Sequence, residues 1–175
     1  MSTTVQQVAP GTYTSDPVHS SFGFAIKHNG ISTFRGHFQE VAATLENGVL
    51  TGTAQVESVS TPIAPLKEHL LSPEFFNASD TPTIEFRSSE IRVAQDGAAE
   101  VTGELTIRGV TKPVTARGTY GAGQNMRGAE IVGFELEATI DRRDYGLDWQ
   151  AQLPSGGDVI AWDVTLEVRL ELLKA

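Results

Sequence analysis

A long alternation of apolar and polar residues runs through the last part of the sequence. Most odd positions there are polar, whereas the even positions are apolar: Ile160, Trp162, Val164, Leu166, Val168, Leu170 and Leu172. A period of two is typical of a β-strand with one buried and one exposed face. At about 3.3 Å per residue this strand would be about 43 Å long, far beyond the usual length of about five or six residues. So long a strand favours a barrel wall.

The same period recurs in segments 22–26, 34–38, 50–56, 84–86, 101–107, 114–120 and 132–140. Several junctions carry hairpin turn residues, among them Asn29-Gly30, Asn47-Gly48 and Asp96-Gly97. We therefore predict an all-β fold, an eight-stranded antiparallel up-and-down barrel. A β-sandwich is the alternative, but only closure into a barrel removes the edge strands.

One long interruption carries the helical signals of the chain. Ile63, Leu66 and Leu70 have helical spacing, and Ser72-Pro73 has the pattern of an N-cap followed by proline at the first helical position. We predict a short helical insertion around residues 62–78 that covers one end of the barrel.

The predicted inward faces mix large residues with small ones. The small ones are Gly36, Gly52, Ala54, Gly103, Ala116, Gly118 and Ala138. An eight-stranded barrel is just wide enough to hold one small ligand, so small inward residues favour a cavity. The alternative is that they relieve crowding where strands bend or bulge.

Length and charge limit the function classes. The 175 residues suit one domain, 1–175, with residues 1–10 expected to be a flexible N-terminus. A net charge of −9 is the opposite of what nucleic-acid binding requires. No segment approaches the roughly 18 apolar residues of a membrane-spanning helix, and the first residues lack the pattern of a signal peptide. We expect a cytoplasmic protein without stable membrane insertion.

Metal and cofactor chemistry finds little support in the sequence. No cysteine is present, which excludes disulfides and thiolate ligands. His19, His28 and His37 are spaced nine apart. Keeping the neighbouring phenylalanines on one face requires that residue 26 pair with 34 and 24 with 36, which puts His28 and His37 on opposite faces. We therefore predict neither a metal site nor a cofactor.

A catalytic set is equally hard to assemble. Asp16, His19 and Ser20 lie close together, but the sequence has no Gly-x-Ser-x-Gly nucleophile elbow. Capping of nearby backbone amides by Asp16 or Ser20 is the simpler interpretation. We predict no catalytic residues.

Two further segments allow a functional and a structural interpretation. In the run Asp141 to Gly146, an arginine could bind an anionic head group or could pair with a neighbouring aspartate in a turn. Phe75 and Phe76 could belong to the core of a short helix or could line a pocket beneath it.

Five segments together resemble the YceI-like family of polyisoprenoid-binding proteins. They read DPVHSSFGFAIKH, RGHF, HLLSPEFFNASDTPTIEFRS, GELTIRGVTKPV and GFELEATIDRRDYGL, in the order of the family and from Asp16 to Leu147. The resemblance implies an extended lipocalin-like barrel, often dimeric, whose apolar tunnel holds a polyprenyl chain or, in some members, a fatty-acid derivative. Arg143 departs from the family, which has a small polar residue there.

Pattern and resemblance together identify the candidate site residues. For the head group of the ligand they are Arg142 and His19. For the apolar interior they are Phe22, Phe24, Ile26, Phe34, Phe38, Phe75, Phe76, Phe86, Leu105, Ile107, Phe134, Leu136, Trp162 and Val164.

Three functions stay open at this point. The first is a non-enzymatic carrier, storage or sequestering protein for a long apolar lipid, as implied by the resemblance: a polyprenyl phosphate or an isoprenoid quinone. The second is an enzyme that acts on an isoprenoid or quinone inside the barrel, with His28 as acid or base. The third is a solidly packed barrel that serves as an interaction module. A homodimer is implied by the resemblance alone.

Overall fold

The computed structural model of the chain describes residues 5–175. Twelve strands and one α-helix follow one another in this part of the chain: β1 (Val5–Gln6), β2 (Thr12–Ser15), β3 (Ser21–His28), β4 (Ser32–Phe38), β5 (Val41–Glu46), β6 (Val49–Gln55), β7 (Val59–Ser60), α1 (Ala64–Leu71), β8 (Thr83–Ala94), β9 (Ala98–Ile107), β10 (Val110–Gln124), β11 (Glu130–Asp141) and β12 (Ile160–Lys174). Two 3-10 helices span Val56–Ser58 and Arg142–Tyr145.

Eight antiparallel strands close into a barrel, in the order β11-β10-β9-β8-β6-β5-β2-β12, with β12 pairing back onto β11. The predicted all-β barrel with one short helix is confirmed. The long strand β12 has two partners along its other edge: residues 172–174 pair with β2, whereas residues 160–169 pair with β3. The hairpin β3-β4, extended by β7, therefore continues the wall beyond β2 and β5 at one end.

The register of the β3-β4 hairpin agrees with the prediction. Phe24 pairs with Gly36 and Ile26 with Phe34. The loop has three residues, with Asn29 and Gly30 at positive φ, which is the odd length that the pairing requires. Because side chains alternate between faces, the phenylalanines of both strands share the inner face.

The helical segment differs from its prediction in one detail. The helix spans Ala64–Leu71, so Ser72, which follows its last residue, is the C-cap and not an N-cap. Proline disfavours the helical conformation for the residue before it, and Ser72 accordingly has extended dihedral angles (φ −70°, ψ 166°) before Pro73. No helix within residues 5–175 has both the length and the apolar character needed to cross a membrane.

The segment 1–10 lies only partly within the described residues. Val5 and Gln6 pair with Ala94 and Val93 of β8. The flexibility of this segment stays a prediction.

Candidate functional site

The barrel interior contains a cavity of about 470 Å³ at the end where β3, β4 and β12 form the wall. Its volume falls within the range of about 300–1,000 Å³ that is typical of small-molecule sites. Nine of the predicted interior residues line it: Phe22, Phe24, Ile26, Phe34, Phe38, Phe75, Phe76, Ile107 and Val164. Phe75 and Phe76 therefore contribute to the pocket that the helical segment covers.

Aromatic contacts join the wall of this cavity to its cover. The ring of Phe38 stacks on Phe22 at 5.5 Å between centroids and meets the edge of Phe76 at 5.8 Å. A Cβ atom on Gly36 would lie 2.5 Å from the ring of Phe24, so glycine is what lets that ring lie against β4. The ring of Phe24 then lines the cavity instead of filling it.

A second cavity of about 100 Å³ continues along the interior and shares Phe22, Ile84 and Leu166 with the first. Its wall contains the predicted Phe86, Leu105 and Leu136 together with the small residues Gly52, Ala54, Ala116 and Ala138. A Cβ atom on Gly103 would lie 2.7 Å from Phe86 Cζ, so this glycine accommodates a ring instead of widening the cavity. Some small inward residues therefore line a cavity, whereas others relieve crowding between neighbouring groups, so both interpretations of the small residues apply at different positions. The cavities argue against a solidly packed barrel.

Two predicted interior residues line neither cavity. Phe134 is fully buried at the other end, where its ring packs 5.1 Å from that of Tyr120. Trp162 lies instead against two guanidinium groups, those of Arg142 at 4.2 Å and Arg143 at 4.7 Å from its ring centroid. The pairing of β12 with β3 shifts register between Ile160 and Val164, which interrupts the alternation at Trp162.

Arg142 lines the larger cavity but is itself 2% exposed. Its guanidinium donates hydrogen bonds to the backbone carbonyls of Leu147 (2.7 Å), Trp149 (2.7 Å) and Ala161 (2.8 Å), and a longer one to that of Ile160 (3.5 Å). Burial lowers the pKa of Arg142, and the nearby carboxylate of Asp141 opposes this effect. These contacts show a structural role, and head-group binding by Arg142 stays a prediction.

Arg143, the exposed neighbour, makes the turn contact that the sequence suggested. Its guanidinium donates to the Asp141 carboxylate at 2.6 Å, and this bond lowers the pKa of Asp141. The 3-10 turn is also tied to the cavity cover through Arg108, which donates to the carbonyls of Gly146 (2.9 Å) and Pro73 (2.7 Å). The turn after β11 and the segment after α1 are thereby held together.

His19, the other predicted head-group residue, lines neither cavity. Its Nδ1 lies 2.8 Å from Asp16 Oδ2 and 4.0 Å from Glu171 Oε1. The bond to Asp16 raises the pKa of His19 and lowers that of Asp16. These three side chains are close enough to hold a metal ion together. Asp16 also accepts a hydrogen bond from the Val18 amide at 2.8 Å, which is the predicted capping contact.

The sequence interpretation missed two aromatic residues of the larger cavity, His69 and Trp149. Helical spacing could have found His69, because it lies three residues after Leu66 on the same face of α1. Trp149 lies in the irregular segment between β11 and β12, where no periodicity could have indicated its direction.

The YceI-like domain model matches residues 13–172 of this sequence, almost the whole barrel. The chain belongs to the YceI-like family. A UPF0312 protein of Staphylococcus aureus is 30% identical to this YceI-like chain over 168 residues, which are 91% of the chain and 95% of that protein.

Solved structures share the barrel of this YceI-like protein. The YCEI protein of Campylobacter jejuni is 26% identical and superimposes with a TM-score of 0.73, covering 86% of this chain and 90% of that one. A polyisoprenoid binding domain from Saccharophagus degradans is 14% identical and has a TM-score of 0.71 over 95% of this chain and all of that domain. The second similarity establishes the fold alone.

Proposed function

We propose that the barrel binds one long apolar lipid, a polyisoprenoid chain, and carries, stores or sequesters it without changing it chemically. The observation that carries this proposal is the aromatic-lined cavity of about 470 Å³, followed by a smaller apolar one deeper in the barrel. Burial of apolar surface in such a cavity is the driving force for binding an apolar chain. The polyisoprenoid binding domain of Saccharophagus degradans, which has the same fold, supports the choice of lipid class.

The test is extraction of purified protein with organic solvent, followed by mass spectrometry of the extract. We expect up to one lipid per barrel. A Val164→Phe variant places a larger side chain on the wall of the larger cavity and should return less lipid. Thr165→Phe on the same strand is the matched control, because Thr165 lines neither cavity. Protein that neither yields a lipid nor binds an added isoprenoid would contradict the proposal.

An enzyme acting on the bound lipid is the second candidate, because His28 lines the larger cavity and could serve as acid or base. Product formation from a polyprenyl lipid that His28→Ala abolishes would establish it. A cytoplasmic location and a homodimer complete the proposal, to be tested by cell fractionation and by light scattering.

A further inference from the structure

His69 lies in the last turn of α1 and is part of the wall of the larger cavity. Its ring is held edge-on between two aromatic rings, with centroids 4.8 Å from Phe75 and 5.0 Å from Trp149. The imidazole is therefore fixed in orientation on a wall that is otherwise mainly apolar.

The hydrogen bond of His69 to Glu74 determines what its other nitrogen can do. His69 Nε2 lies 2.6 Å from Glu74 Oε2. A carboxylate only accepts hydrogen bonds, so Nε2 carries the proton and donates it. In the neutral ring Nδ1 then presents a lone pair as an acceptor. Within residues 5–175, Nδ1 has no hydrogen-bond partner in the protein.

The remaining polar side chains of this cavity offer few hydrogen-bond donors to a phosphate. His28, Ser32 and Thr33 line it near the β3-β4 turn. Arg142 is the one arginine among the described residues that line this cavity, and its guanidinium donates hydrogen bonds to backbone carbonyls. A phosphate is bound in proteins chiefly by free arginine or lysine side chains and by backbone amides. These lining side chains therefore suit a neutral oxygen better than a phosphate.

We propose that His69 Nδ1 accepts a hydrogen bond from a terminal hydroxyl of the bound lipid, so that the barrel prefers an isoprenoid alcohol to its phosphate. This inference rests on the proposed lipid binding and adds its head group. A hydroxyl brought into an apolar cavity without a partner is unfavourable, and His69 supplies the partner beside the aromatic rings that contact the chain.

The test compares three probes of one chain length: geranylgeraniol, geranylgeranyl phosphate and the hydrocarbon with the same carbon skeleton. Dissociation constants come from tryptophan fluorescence in a Trp162→Phe background, in which the one remaining tryptophan, Trp149, lines the cavity. His69→Phe keeps an aromatic ring but removes Nδ1. His37→Phe is the matched control, because His37 is exposed, pairs with Gly23 and lines neither cavity.

We expect the parent to bind the alcohol more tightly than the phosphate. His69→Phe should weaken alcohol binding by about 3- to 10-fold, the range of one neutral hydrogen bond, and leave the hydrocarbon unchanged. An equal effect of His69→Phe on alcohol and hydrocarbon, or tighter binding of the phosphate by the parent, would overturn the inference while leaving lipid binding intact. Failure of all three probes to bind the parent would instead refute the proposed function.

A second measurement needs no variant. In protein labelled with ¹⁵N at histidine, geranylgeraniol should move the Nδ1 resonance of His69, whereas the hydrocarbon should leave its hydrogen-bonded state unchanged. An Nδ1 resonance that responds equally to both probes would also overturn the inference.

Discussion

Removal of the Arg142 side chain tests whether this buried arginine is a structural element of the cavity end. Its guanidinium joins three parts of the chain: the turn after β11 through Leu147, the following segment through Trp149, and the start of β12 through Ala161. Arg142→Ala would leave three carbonyls without their donor at a position where the side chain is 2% exposed.

The expected cost follows from these contacts. Hydrogen bonds to a charged group contribute about 1.5–3 kcal/mol each, and they are not additive within one group. A buried acceptor left without its donor costs about 1–3 kcal/mol, so loss of the donor that these carbonyls share should cost about 3–5 kcal/mol in total. This is a large share of the roughly 5–15 kcal/mol that stabilises a domain. For a chain of this size, about 2–4 °C of melting temperature are lost per kcal/mol. We therefore expect a decrease of about 6 to 20 °C.

Thermal and urea unfolding of the purified protein measure this effect. Arg143→Ala is the matched control, because it removes the same side chain from the next position, where the guanidinium is exposed and paired with Asp141. Such a surface pair contributes about 0–1 kcal/mol. If Arg142→Ala were as stable as Arg143→Ala, the structural role of Arg142 would be refuted. Selective loss of phosphate binding in a stable Arg142→Ala protein would support the head-group prediction instead.

Three further predictions concern other parts of the barrel. A Cβ atom at Gly118 would collide with the backbone of β11, so Gly118→Ala should cost roughly 1–3 kcal/mol in urea unfolding, whereas Gly123→Ala, with open space around it, should change stability by less than about 0.5 kcal/mol. Phe134→Ala should cost about 3–5 kcal/mol but leave the lipid affinity of the folded protein unchanged, because Phe134 is fully buried and lines neither cavity. The pKa of His19 is raised, so its pairing with Asp16 stabilises the fold below about pH 6.5, and this stabilisation fades as the pH rises through the pKa of His19 in the folded protein. Asp16→Asn should lower the pKa of His19, which an NMR titration measures.

The sequence predicted the barrel because alternation records burial directly. Between Ile131 and Asp141 each apolar side chain of β11 pairs with an apolar residue of β12, as Leu136 does with Val168. The short strands escaped prediction for a physical reason. In β2 only Tyr13 is apolar, so four residues carry too little pattern to show a period. Pairing with its neighbours, and not its own sequence, makes β2 a strand.

The candidate site was predicted less completely, because alternation reports the face of a residue and not its level along the barrel axis. Phe134 and Leu136 share the inner face of β11, but only Leu136 lies beside a cavity. Trp162 follows the alternation in sequence, yet the register shift beside it places it against arginines. Contacts between elements distant in sequence, such as that of His69 with Trp149, carry no sequence period at all.

Side-chain size along the barrel axis explains where the interior is hollow. At the β2 end, Tyr13, Tyr120 and Phe134 are buried and fill the interior. In the middle, small residues such as Ala54 and Ala116 leave the narrow cavity. At the β3-β4 end, rings lie against the wall, as that of Phe24 does on Gly36, and the interior widens. A chain bound beneath α1 would therefore meet a broad aromatic chamber first and then a narrow apolar passage, which makes the chamber at the β3-β4 end the part of the interior that can accept the bulkiest group of a ligand.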